Sequence, residues 1–96
     1  MYPILPEVYD ELADRLHGRI GDGCYFSGTV ECQSEDVWVE LRATLIIYRH
    51  DDPRPDGCAS MIDDIVPVWW ECHTMHGSEE MLNEFDFAEI KSRLIR

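Results

Sequence analysis

The chain has 96 residues, with 20 acids against eight bases, a net charge of −12, 45% apolar residues and 29% charged ones. Length and composition fit one small globular domain spanning residues 1–96, with a modest core. So acidic a surface repels phosphate backbones and anionic bilayers, so neither direct nucleic-acid binding nor membrane binding is expected.

No apolar run approaches the roughly 18 residues of a membrane span. The start, MYPILPEVYDE, lacks the basic and unbroken apolar segments of a secretion signal, so a cytoplasmic location is expected.

The first element is a helix from about Pro6 to Arg19. Val8, Leu12 and Leu16 recur every four residues, and Tyr9, Ala13 and Ile20 widen the stripe. Pro6 suits the first helical position, and Glu7, Asp10 and Glu11 suit the positive helix start. Gly18, Gly21 and Gly23 offer left-handed stops.

A strand follows over about Cys24–Gln33, with Cys24, Phe26, Val30 and Cys32 on one face and Tyr25, Ser27, Thr29 and Glu31 on the other. The short link Ser34-Glu35-Asp36 implies a hairpin. The next strand, Asp36–His50, is the strongest pattern in the chain. Val37, Val39, Leu41, Ala43, Leu45 and Ile47 form an unbroken apolar line with period two, which puts that face on a core. The opposite face reads Trp38, Glu40, Arg42, Thr44, Ile46 and Tyr48, mixing charge with large apolar surface. The segment HDDPRPDG ends this strand.

A third strand lies within Ile62–Met75. Strict alternation sends Val66, Val68, Trp70 and Cys72 to the core and Trp69, Glu71 and His73 away from it. Pro67 has no amide donor, so a bulge, a frayed stretch or an edge is required nearby. Met81–Phe85 reads as a short fourth strand, with a helical turn as the competing assignment. The last helix starts at Asp86, with Glu89 completing a capping-box pattern and Phe85 and Ile90 at staple positions. Phe87, Ile90, Lys91 and Leu94 line one side, and the helix runs to about Ile95.

The expected fold is α+β: an antiparallel meander of three to four strands with N- and C-terminal helices packed on one face, in the order α-β-β-β-(β)-α. The expected core joins Val39, Leu41, Leu45, Val68 and Trp70 to Leu12, Leu16, Ile90 and Leu94. In order of elements alone the chain resembles the double-stranded-RNA-binding domain. It lacks the basic helix start such domains use against phosphate, so that function is not carried over.

Chemistry-bearing patterns are sparse. Cys24 and Cys32, eight residues apart in one strand, would lie about 26 Å apart, too far for a disulfide. With Cys58 and Cys72 they read as reduced, mostly buried thiols. Cys72 and His73 point to opposite faces of a strand, so with His76 they do not form a metal site. His50-Asp51-Asp52 reads as a solvated turn rather than an acid–base pair. No catalytic, cofactor-binding or metal residue is assigned, and no cofactor or enzyme activity is expected.

The expected working surface is the sheet face away from the helices, with Tyr25, Thr29, Trp38, Arg42, Ile46, Tyr48, Trp69 and His73. Aromatics with an arginine are typical interface anchors. The expected role is binding of an unidentified partner protein, or of a second copy, through that face. The alternative is an acidic DNA mimic that blocks a basic nucleic-acid-binding protein, using pairs such as Asp51-Asp52, Asp63-Asp64 and Glu79-Glu80.

Overall fold

In a computed structural model, which describes residues 2–21, 23–51 and 60–95, the chain forms α1 (Pro6–Ile20), β1 (Tyr25–Ser34), β2 (Val37–Asp51), β3 (Ser60–His76), β4 (Glu79–Met81) and α2 (Phe87–Leu94). The four strands make one antiparallel sheet in the order β1-β2-β3-β4. Both helices lie on one face of it, so the fold is α+β as the sequence implies.

Each element has a local cause. Pro6 opens α1, where its missing N–H would have no helical partner. Val8, Tyr9, Leu12, Ala13, Leu16 and Ile20 form its buried stripe. Of the three glycines, Gly21 ends the helix, with φ 55° and its N–H on the His17 carbonyl, while Gly18 stays inside it. Arg49 then ties the exit of α1 to β2: its Nη2 donates to the Gly21 carbonyl at 2.7 Å and its Nε to that of Gly23 at 2.8 Å. A guanidinium there also complements the negative end of the helix.

The core row of β2 is as the alternation requires. Val39, Leu41, Ala43, Leu45 and Ile47 are all at most 2% exposed, and they meet Phe26, Val30 and Cys32 from β1. Leu12, Leu16, Ile90 and Leu94 close the other side. Cys24, expected in this row, lies just before β1 and is exposed.

Two core assignments on β3 are overturned. Val68 is 60% exposed and Val66 39% exposed, while Ile65 is fully buried. The ladder pairs Thr44 with Trp69 but Leu45 with Pro67, so Val68 is an extra residue at a bulge. One inserted residue reverses the facing of the stretch just before it, which sends Ile65 inward and Val66 outward, until a second irregularity at Asp63 reverses it again. Trp70 does face the helix side, but its ring remains 38% exposed. It packs on Phe85 and Phe87, with centroids 5.1 and 6.2 Å away.

Pro67 fits this ladder without losing a bond. Ile47 donates its N–H to the Cys24 carbonyl, so odd residues of β2 direct their backbone groups toward β1 and even ones toward β3. Pro67 stands opposite Leu45, so its nitrogen points to the outer side of β3. There β4 pairs only with Thr74–His76.

The fourth strand is earlier than Met81–Phe85 and only three residues long. Beyond it, Asn83 makes an isolated parallel bridge to Tyr2 and donates from Nδ2 to the Cys72 carbonyl at 3.0 Å. Asp86 caps α2 by accepting from the Ala88 N–H at 3.0 Å. The reciprocal half of the capping box is replaced: the Asp86 N–H goes to the Tyr9 hydroxyl at 2.9 Å, and Glu89 instead pairs with Arg93.

Candidate functional site

Among the described residues, no element covers the sheet face opposite the helices. Strand register turns it into rungs that cross the sheet, spaced about 6.6–6.8 Å apart along the strands. Tyr25–Ile46–Val66 is the first rung and Ser27–Thr44–Trp69 the second. Next come Thr29–Arg42–Glu71 and Glu31–Glu40–His73, and then Gln33–Trp38–Met75 with Glu80 beyond. Tyr48 extends the series past the end of β1, opposite Asp64.

All eight expected interaction residues lie on this face, Thr29 beside Arg42 among them, but they do not form one cluster. Tyr25, Ile46, Tyr48 and Trp69 come together at one end, 38–63% exposed. Trp38, 40% exposed, sits at the other end. Six residues of strand separate its rung from that of Trp69, roughly 20 Å. Arg42 and His73 fall in the charged rungs between. Alternation placed these residues on one face but could not show that charge divides them, because the division depends on pairing between strands.

The charged centre is a network. Arg42 Nε donates to Glu40 at 2.5 Å. His73 bridges two carboxylates, with Nδ1 2.8 Å from Glu80 and Nε2 3.2 Å from Glu71. The hydrogen bond to Glu80, followed by that to Glu71, raises the His73 pKa above its ordinary value. Glu31 stands directly opposite Glu40, a like-charge pair in which Glu40 is bound by Arg42 and flanked by His73. Trp38, Glu40, Arg42, Glu71, His73, Met75 and Glu80 border a shallow depression of about 470 Å³.

Sequence reading missed four participants: Val66, Val68, Met75 and Glu80. Pro67 carried the signal for the first two, since a bulge there shifts the facing of the strand. Met75 and Glu80 depend on where β4 begins, which the His76-Gly77-Ser78 turn leaves open to a shift of a few residues.

Other candidates are dispersed. Cys72 faces the helices, and burial pushes its thiol up to about 12. His73 faces the opposite way. Cys32 is likewise buried, its thiol pushed up to about 11. Cys58 lies outside the described residues. Among the described residues, no three His, Cys, Asp or Glu side chains are placed to hold a metal. His50 pairs with Asp63 and Asp64 with Lys91 at 2.7 Å. Asp52 lies outside the described residues. No described helix is long and apolar enough to cross a membrane.

Comparison with protein-family models, with curated proteins and with solved structures finds no match to this chain.

Proposed function

We propose that the chain is a non-enzymatic protein-interaction module, which binds a partner protein or its own copy through the open sheet face. One observation carries this reading. Tyr25, Trp38, Ile46, Tyr48 and Trp69 are each more than a third exposed on a face that neither helix covers. Rigid aromatic side chains on a sheet lose little entropy on binding, and exposed apolar surface of this kind marks contacts.

The acidic-mimic alternative is weaker. A mimic needs carboxylate pairs free for a basic partner, whereas Asp63 and Asp64 are each engaged by a histidine or lysine of this chain.

The test is Trp38→Ser combined with Trp69→Ser. The double variant should keep the wild-type circular dichroism spectrum and lose partner capture or self-association in pull-down and sedimentation. Interface anchors often contribute about 2 kcal/mol or more each. A folded double variant that retains every association would refute the proposal.

A further inference from the structure

The order of rungs along the open face specifies a kind of partner. Apolar surface stands at both ends, with Ile46 and Trp69 at one and Trp38 and Met75 at the other. Between and beside them lie four carboxylates, Glu31, Glu40, Glu71 and Glu80, against the Arg42 guanidinium on Glu40 and the His73 ring between Glu71 and Glu80.

His73, when protonated, is a second cation of this centre, between Glu71 and Glu80, and the remaining described arginines and Lys91 have partners elsewhere. Arg15 pairs with Glu11, Arg19 holds the Thr29 carbonyl, and Arg49 holds the exit of α1. Lys91 pairs with Asp64 and Arg93 with Asp10 and Glu89. Glu40, Glu71 and Glu80 thus share two cations, while Glu31 stands opposite Glu40, so the face keeps an acidic excess that an outside charge can neutralise.

A second copy fits poorly. Two such faces brought together would set carboxylates against carboxylates, in a chain whose net charge is already −12. A basic partner meets no such cost, and an arginine entering the depression finds the Trp38 ring as well as carboxylates.

We infer that the open face binds a segment of another protein with arginines or lysines at its centre and apolar anchors on either side. This rests on the interaction reading and adds the chemistry and the order of the partner. The arginines lie over the Glu31–Glu40–His73 and Arg42–Glu71 rungs. One anchor covers Ile46 and Trp69, and the other covers Trp38 and Met75.

Three synthetic peptides test it by calorimetry on the full chain. The first has central arginines and leucines at both ends. The second has the same composition with leucines at the centre and arginines at the ends. The third replaces the arginines of the first by neutral citrulline. The first should bind about tenfold or more tighter than either of the others, since matched charge and matched anchors are both required. Glu71→Gln with Glu80→Gln should remove that advantage. Asp14→Asn with Glu84→Gln, an equal change in charge elsewhere, should leave it intact.

Equal binding of the first two peptides, or equal loss in both charge variants, would reduce the effect to unspecific attraction and overturn the inference. Equal binding of the arginine and citrulline peptides, lost in the Trp38→Ser, Trp69→Ser variant, would overturn the basic partner and keep the interaction reading. Peptide binding that survives the tryptophan changes would sink both. Sedimentation as a dimer that the first peptide fails to dissociate would assign the face to a second copy instead.

Discussion

At the scale of single residues, the two faces of the sheet differ in what a substitution costs. Leu41 is fully buried between the helices and β2's neighbours. Leu41→Ala should cost about 2–5 kcal/mol in denaturant titration, the range for truncating a packed core. Val68→Ala, at the bulge, should stay within about 0.5 kcal/mol, as surface changes do. A smaller effect at Leu41 than at Val68 would reverse the assignment of faces. His73 gives a pH signature. Its pKa is raised in the folded chain by Glu80 and then Glu71, with Glu40 opposite it on β2. The protonated form is the one the fold favours, so its contribution is full below the unfolded value of 6.5 and is lost as pH rises through the raised value. The melting-temperature gap between wild type and His73→Gln should shrink over that rise. A gap that widens with pH would show the opposite shift.

At the scale of elements, the legibility of the chain follows how local each signal is. The row from Val37 to Ile47 and the stripe from Val8 to Ile20 were readable because period two and period 3.6 are written in neighbouring residues. The bulge at Val68 was half readable: Pro67 announced an irregularity but not its sense. The start of β4 was misplaced because three residues of strand carry no period, and the pairing of Thr74 with Met81 decides their position. The separation of Trp38 from Trp69 was not readable at all, since it arises from register across β2 and β3. One turn carries a local cost that the sequence implied only as a hairpin link. The β1–β2 turn places Glu35 at φ 54°, where a side chain is disfavoured by roughly 1–2 kcal/mol. Glu35→Gly should therefore raise stability, by up to about 1 kcal/mol after the greater freedom of an unfolded glycine is set against the gain. A loss of stability in thermal melts would mean that the Glu35 side chain offsets its own strain.

At the scale of the whole molecule, charge and shape act together. The chain extends 51 Å along its long axis and 23 × 18 Å across it, because β2 and β3 run on as a ribbon past the end of β1. A net charge of −12 is thus spread over a slender body rather than a sphere. Repulsion among like charges still opposes folding, so moderate NaCl should raise the melting temperature by screening it. A melting temperature that falls steadily with salt would mean that pairs such as Arg93 with Asp10 and Glu89 outweigh the repulsion.

The missing donor of Pro67 reaches beyond its own bulge. A meander leaves two free flanks, and stacking one molecule's flank on the next, in a head-to-tail series that never closes, is the route to a fibre. On the β1 flank, Arg19 occupies the Thr29 carbonyl. On the β3 flank, Asn83 occupies that of Cys72, and Pro67 has no hydrogen to offer. A neighbouring strand would meet a broken template on either side. Growth in the plane of the sheet is thereby discouraged even when the protein is concentrated, and encounters are directed to the broad face, where the choice of partner is made by side chains rather than by backbone.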